Sequence, residues 1–311
     1  MSLKILWDAF TFTQTGHRES EGWMGKGNNL ETRDTAAAKA DLLLQSLEKS
    51  ESVLVAFSGG VDSTLVLAAA RRVLPRHRVL AVTGRSPSLG QGEVEHCVAL
   101  AARLDATHCV IETDEFSDPR YLANPTHRCF FCKQALYARL VPMARVGRYR
   151  VVVDGLNVDD LSDIRPGIAA AKAMGVESPL RDAGLTKADI RQISRAWGLP
   201  TWNRPESPCL SSRVAFYTPV APALLRRVDQ AEQAIRALGF GHVRVRTDGE
   251  TARIEIGRAD LPLAFTTPMY QQILAAATAA GFSRPWLDPA GYHRGGGHRL
   301  HDAIRVEPVE A

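Results

Sequence analysis

No stretch of the 311 residues approaches the roughly 18 consecutive apolar residues of a membrane-spanning helix. A secretory pattern is missing as well, since Lys4 is followed by Ile5-Leu6-Trp7 and then by Asp8. These two absences make the cytoplasm the expected location. Blocks of like charge are also absent: 38 Lys+Arg against 34 Asp+Glu leave a net charge of +4, spread along the chain as scattered Arg. Such a balance suits an anionic small substrate such as a nucleotide and disfavours a nucleic-acid partner. The five cysteines are odd in number in a chain without a secretion pattern. Reduced thiols are therefore expected rather than a disulfide framework, which leaves paired cysteines open to metal binding or catalysis. No internal repeat is visible. What remains, 45% apolar and 23% charged residues, is an ordinary globular composition, long enough for two modest domains.

Residues 1–34 are polar and glycine-bearing without steady periodicity, and read as a poorly ordered leader. From residue 35 short apolar runs alternate with helical patterns. Strands are expected at Val53–Phe57, Val79–Val82, His108–Ile111 and Tyr149–Val153, and helices after residue 35, after the turn at 58–60 and at Glu93–Leu104. That alternation predicts an α/β fold with a doubly wound parallel sheet over 35–205. A proline-rich stretch (Pro200, Pro205, Pro208, Pro219) precedes an α-β-β-α pattern, with a helix near 221–238, strands at His242–Arg246 and Thr251–Ile256, and a helix near 268–280. This second, smaller α+β domain is expected over 206–290. The tail, 291–311, carries His293-Arg-Gly-Gly-Gly-His298 and reads as flexible, with fraying expected after about Leu287.

Between the first strand and its helix stands Ser58-Gly59-Gly60-Val61-Asp62-Ser63. The two glycines let the backbone turn tightly and approach phosphate oxygens. The Ser58 and Ser63 hydroxyls, with free N–H groups at the helix start, donate to them. Asp62 repels bare phosphate, so its useful role is to hold Mg²⁺ or orient the loop. No Gly-Lys-Ser/Thr follows, which disfavours transfer of the γ-phosphoryl group.

Cys129-Phe-Phe-Cys132 has metal-ligand spacing and stands just before an expected helix, while Cys209 lies in the proline-rich loop. On the residues alone the set is open between a zinc half-site, a redox pair, chance, and three ligands of a [4Fe–4S] cluster with one iron free. Neighbouring Arg128, Lys133 and Arg213 are expected to lower a thiol pKa. Cys97 and Cys109 sit in apolar patterns and read as core residues. Arg244 and Arg246 alternate on one strand and share a face. A solvated face is the ordinary reading for such residues, as it is for a helical Glu232 and a strand Glu255.

The hexapeptide resembles the hallmark of the PP-loop ATP pyrophosphatase superfamily. Further stretches narrow the likeness: Ser86-Pro-Ser-Leu89, Asn124-Pro125, Arg128-Cys-Phe-Phe-Cys-Lys133, Gly155-Leu-Asn-Val-Asp-Asp160, Asp163-Ile-Arg-Pro-Gly167, Trp202-Asn-Arg-Pro205 and Cys209-Leu-Ser-Ser-Arg213. In order and spacing, from about 35 to about 295, they resemble the LarE family of ATP-dependent sulfur transferases. That resemblance implies adenylation of the carboxylates of pyridinium-3,5-biscarboxylic acid mononucleotide and their conversion to thiocarboxylates for a nickel-pincer nucleotide cofactor. It implies ATP binding by Ser58, Gly59, Gly60, Val61, Asp62, Ser63, Thr83 and Gly155, with Asp62 and Cys209 as catalytic residues. Ser212, Arg213, Arg244 and Arg246 are implied at the substrate and its phosphate. Mg²⁺ is implied near Asp160, Glu232 or Glu255, with Asp159 and Asp163 in the same acidic loop.

Family members take sulfur either from the single cysteine at the Cys209 position or from a [4Fe–4S] cluster. With Cys129, Cys132 and Cys209 all present, the cluster form is expected, with sulfide or another donor as the sulfur source and a trimer or hexamer by analogy. The leader and the His/Gly tail depart from the family pattern. Rival readings are a tRNA-thiolating enzyme, which needs a broad basic surface absent here, and a non-catalytic nucleotide sensor, which needs no sulfur chemistry.

Overall fold

The computed structural model describes residues 35–161 and 166–293. The leader, Asp163 and the His298 end of the tail lie outside the described residues. Helix α1 (Ala36–Lys49) starts at Thr35, whose hydroxyl accepts from Ala38 N at 3.2 Å, and buries Leu43 and Leu47 one turn apart. Strand β1 (Val53–Ala56) leads into α2 (Val61–Val73), which is buried from Ser63 through Ala70. β2 (Val79–Arg85), α3 (Glu93–Arg103) and β3 (Thr107–Glu112) follow, then the short α4 (Pro119–Leu122) and the long α5 (Arg128–Val146). β4 (Val151–Val153), α6 (Pro166–Ala173), α7 (Pro179–Asp182) and α8 (Lys187–Ala196) complete this half.

The four strands form one sheet in the order β3-β2-β1-β4, parallel throughout. Alternation along each strand feeds two cores, as a sheet buried on both faces requires. Val53, Val55, Val79 and Ala81 pack with α1, α2, α7 and α8, whereas Leu54, Leu80, Val82 and Val152 pack with α5 and α6. β1 therefore lies centrally, with β2 on one side and β4 on the other. The crevice at the carboxyl ends of these strands is where doubly wound sheets bind ligands.

The second sheet has the order β5-β6-β7. α9 (Pro222–Ala237) precedes β5 (Val243–Arg246) and β6 (Thr251–Ile256), which pair antiparallel; α10 (Leu261–Ala264) and α11 (Thr267–Ala279) precede β7 (Arg284–Leu287), which pairs parallel to β6. Val243, Val245, Ala252, Ile254 and Ile256 pack with residues of α9 and α11 in a separate core. The α/β class with a parallel sheet and a smaller second sheet is as the sequence predicts.

Three local expectations are corrected. β7 is absent from the sequence reading because Pro285 sits inside it; an edge strand tolerates the missing N–H. Backbone pairing continues past Leu287, where fraying is expected: Asp288 N donates to Ile254 O and Tyr292 N to Ile256 O. Cys129 and Cys132 lie within the first turns of α5 rather than before it. Among the described residues no helix is long and apolar enough to cross a membrane.

Candidate active site

The phosphate loop turns at Gly59, which has φ +66°, a conformation that costs other residues about 1–2 kcal/mol. A Cβ there meets His96 Cδ2 at 2.8 Å and Cys97 Sγ at 2.9 Å. The Ser58 N–H donates to Ser63 Oγ at 3.2 Å, and the two hydroxyls lie 3.1 Å apart. Gly60 begins α2 with no side-chain cap, so the first N–H groups of the helix stand open to an anion, as a phosphate cradle requires. Thr83, from β2, donates its hydroxyl to Phe57 O at 2.8 Å and steadies the strand end behind the loop. Gly155, after β4, lies so close to the helix start that a Cβ comes within 2.9 Å of Ser63 N.

Asp62 accepts from Lys187 Nζ at 2.6 Å and from Asn157 Nδ2 at 3.4 Å. Burial pushes the Asp62 carboxyl up, and the pair with Lys187 only partly offsets this; Asp160 adds to the rise. A single carboxylate under such pressure fits Mg²⁺, which takes most of its ligands from phosphate and water. Asp160 itself accepts from Asn157 N at 3.2 Å. Lys187 escaped the sequence reading. Its signal was the capping box Thr186–Asp189, which marks a helix start that points this lysine at the loop.

The cysteine segments are distant in sequence and adjacent in space. Arg128 donates to Asn124 Oδ1 and to Ser211 O (2.7 Å), Asn124 Nδ2 donates to Ala215 O at 2.7 Å, and the Tyr121 hydroxyl meets Ser211 Oγ at 2.8 Å. These bonds clamp the start of α5 against the Cys209 loop. The expected lowering of the thiol pKa is corrected for Cys132. Burial, followed by the charges of Cys209 and Glu115, pushes it up to about 12, and Lys133 only opposes the rise. Arg128 and Arg213 are occupied elsewhere.

Among the described residues no three His, Cys, Asp or Glu side chains are gathered at a metal ion's ligand distances. Cys129 and Cys132 stand on the first turns of α5, and the Cys209 loop is clamped beside them. The charges of Cys129, Cys209 and Glu115 all reach Cys132, and Glu115 Oε2 is buried without a hydrogen-bond partner. Cys97 is buried and Cys109 half-buried.

The residues read as ordinary solvated side chains are buried instead: Arg244 is 8% exposed, Arg246 6%, and Glu232 and Glu255 1% each. Arg244, Arg246, Arg253 and Glu255 share the face of the small sheet opposite its apolar core. Glu255 takes Arg246 Nε at 2.8 Å and Arg253 Nη2 at 2.9 Å; Glu232 takes Arg213 Nε at 2.9 Å, Arg236 at 2.6 Å and Val245 N at 3.1 Å. Arginines engage both oxygens of Glu232 but only one oxygen of Glu255, whose Oε2 is buried without a hydrogen-bond partner.

Burial alone raises the Glu232 carboxyl, but Arg213, Arg244 and Arg236 outweigh it and hold the group below the ordinary range. Its stabilisation is therefore present above the ordinary carboxylate pKa and is lost as pH falls through the lowered one. Glu232→Gln should cost about 3–5 kcal/mol in urea unfolding, because two arginines lose their partner. The variant should also lose the part of the acid-limb slope that Glu232 contributes.

Cys209, Arg204, Arg213, Arg236, Arg244 and His242 line a cavity of about 300 Å³ where the two halves of the chain meet. Arg204 donates to Gly59 O at 3.1 Å and to both oxygens of Glu93, at 2.9 and 2.8 Å. The phosphate loop and the Cys209 cavity are thereby joined through one side chain. The Ser212 hydroxyl accepts from Arg213 Nη1 at 3.1 Å, and Ser212 itself is not part of the cavity lining.

Comparison with known proteins agrees with this geometry. The family model described as NAD synthase matches residues 37–126, which contain the phosphate loop. An uncharacterised protein of Synechocystis sp. is 40% identical over 258 residues, covering 83% of this chain and 96% of its own length. The pyridinium-3,5-bisthiocarboxylic acid mononucleotide synthase of Lactiplantibacillus plantarum is 34% identical over 272 residues, covering 87% and 96%. An uncharacterised protein of Methanocaldococcus jannaschii is 27% identical over 208 residues, covering 67% and 79%.

Proposed function

This chain belongs to the LarE-like family of PP-loop proteins, and on that premise we propose that it is an ATP-dependent sulfur transferase. Its substrate is pyridinium-3,5-biscarboxylic acid mononucleotide, whose ring carboxylates it converts to thiocarboxylates. The observation that carries this reading is the cavity itself. It sets a cysteine among four arginines, one of which also holds the turn of the phosphate loop.

Residues 35–205 form the nucleotide half and 206–290 the substrate half. The open N–H groups at Gly60–Ser63 and the two serine hydroxyls receive the ATP phosphates, while Thr83 and Gly155 shape the floor of that site. Asp62, with Asp160 behind it, holds Mg²⁺, which when bound neutralises phosphate charge. Lys187, 2.6 Å from Asp62, supplies a positive charge beside the loop that suits the departing pyrophosphate. A substrate carboxylate attacks the α-phosphorus, the bond to the β-phosphate oxygen breaks, and pyrophosphate leaves. The resulting mixed anhydride has AMP as a good leaving group.

A sulfur nucleophile adds to the acyl carbon, AMP departs, and the thiocarboxylate remains. Arg213, Arg244 and Arg246, beside Ser212, suit the substrate phosphate through their fixed donor forks. Cys129, Cys132 and Cys209 would hold a [4Fe–4S] cluster, which would supply a site for sulfide.

The protein incubated with ATP, sulfide and the dicarboxylate nucleotide should exchange oxygen for sulfur in the nucleotide, read by mass spectrometry. Thiolation of tRNA in its place would overturn the substrate assignment.

A further inference from the structure

The segment from Trp202 to Cys209 crosses from the phosphate loop to the small sheet, and arginine side chains hold it along its length. Pro205 and Pro208 have no N–H to donate. The segment's carbonyls are instead gripped from outside. Arg191 donates to Trp202 O at 2.8 Å and Arg204 O at 3.0 Å, Arg244 to Glu206 O at 2.9 Å, and Arg213 to Pro208 O and to Cys209 O (3.0 Å). At the far end Leu210 N donates to Ser88 O at 2.8 Å. Arg204 is a residue of this strap whose own side chain hydrogen-bonds to the phosphate loop.

Two donors converge on the Gly59 carbonyl: Arg204 Nη1 at 3.1 Å and His96 Nε2 at 3.1 Å. The other arm of Arg204 is locked on Glu93, which also takes the Ser207 hydroxyl at 3.3 Å. The guanidinium is about one-quarter exposed, so it is held by bonds on both arms rather than by burial alone. Any movement of the Gly59 peptide on nucleotide binding is therefore handed to the strap five residues before Cys209. At its other end the strap rests on Arg213 and Arg244, which face the substrate cavity.

We propose that Arg204 is a positioning residue that keeps the phosphate-loop turn and Cys209 in one frame, so that each adenylate formed meets its sulfur nucleophile before water does. For the sulfur-transfer step this rests on the reading given under Proposed function. The mechanical link itself does not.

The test uses the full chain and α,β-methylene ATP, which occupies the loop without being cleaved between the α and β phosphates. Hydrogen–deuterium exchange in the wild type should show added protection at 58–63 and also at 202–213. Arg204→Ala should keep the first and lose the second. Arg204→Lys, with one donor arm in place of two, should behave as Arg204→Ala does while retaining the wild-type melting temperature. In turnover, pyrophosphate released per thiocarboxylate formed should rise about tenfold or more in both variants, because a misplaced nucleophile leaves the anhydride to hydrolysis. Equal protection of 202–213 in wild type and both variants overturns the proposal, as does a wild type with no linked protection. Linked protection in a wild type that forms no thiocarboxylate leaves the role of Arg204 standing and removes the substrate reading instead.

Discussion

Cys209→Ala should still release pyrophosphate from ATP when the dicarboxylate nucleotide is present, yet form thiocarboxylate about a thousandfold more slowly or worse. The separation follows from the layout. The proposed ATP-binding groups lie in the turn after β1, on α2 and in the turn after β4, whereas Cys209 lines the separate cavity between the two halves. Removing its sulfur deletes the delivery step and leaves the loop intact. The same assay on Cys129→Ala and Cys132→Ala separates the two sulfur sources. A cluster held by all three cysteines makes the three variants equally defective and colourless after anaerobic purification. Sulfur drawn from Cys209 itself leaves the other two active, and the wild type then gains a dehydroalanine after one turnover. Full thiocarboxylate formation by Cys209→Ala would falsify its assignment to sulfur transfer.

Gly155→Ala should lower ATP-dependent turnover about a hundredfold, a cost typical of displacing a reacting group by roughly an ångström. The added methyl meets backbone: Ser63 N at 2.9 Å and Asp62 C at 3.2 Å. Backbone at a helix start cannot rotate aside as a flexible side chain can, so the N-terminus of α2 has to move. Overpacking of this kind also destabilises by about 1–3 kcal/mol. Gly60→Ala is the control, since its Cβ meets only Ser58 Oγ, at an ordinary 3.5 Å, and no positive φ is required there. Its melting temperature should stay near wild type. A Gly155→Ala protein with unchanged kcat and unchanged KM for ATP would show that the close approach of the β4 turn is dispensable.

The nucleotide half was legible because its signals are local. A continuous apolar run, Val53–Ala56, can only be buried, and Gly-Gly followed by a helical pattern marks a strand–turn–helix crevice. The shared face of Arg244 and Arg246 was readable from strand alternation. Their burial was not, because it depends on Glu255 from the neighbouring strand and on carbonyls of residues 206–212, contacts that no local pattern encodes. Glu232 misled for the same reason: on an isolated helix it is a solvated acid, and only the arrival of Arg213 makes it a core ion pair. The thiol environment was misjudged by counting cations near Cys132 in sequence. Lys133 does act on it, but burial wins. Lys187 and Arg204 were hidden by distance, each touching the phosphate loop from more than a hundred residues away.

That separation also sets an order in time. Synthesis delivers Ser58–Ser63 early, but the loop's partners Lys187 and Arg204 stand 125 and 145 positions further along the chain. β1 likewise waits for β4 on one of its two sides. Such long closures are slow and must precede any reward from the contacts they make. A nascent chain released before residue 187 thus carries the phosphate-loop sequence without its Asp62 counter-ion. On the proposed reading, a complete ATP site therefore waits for the part of the chain that leads directly into Cys209.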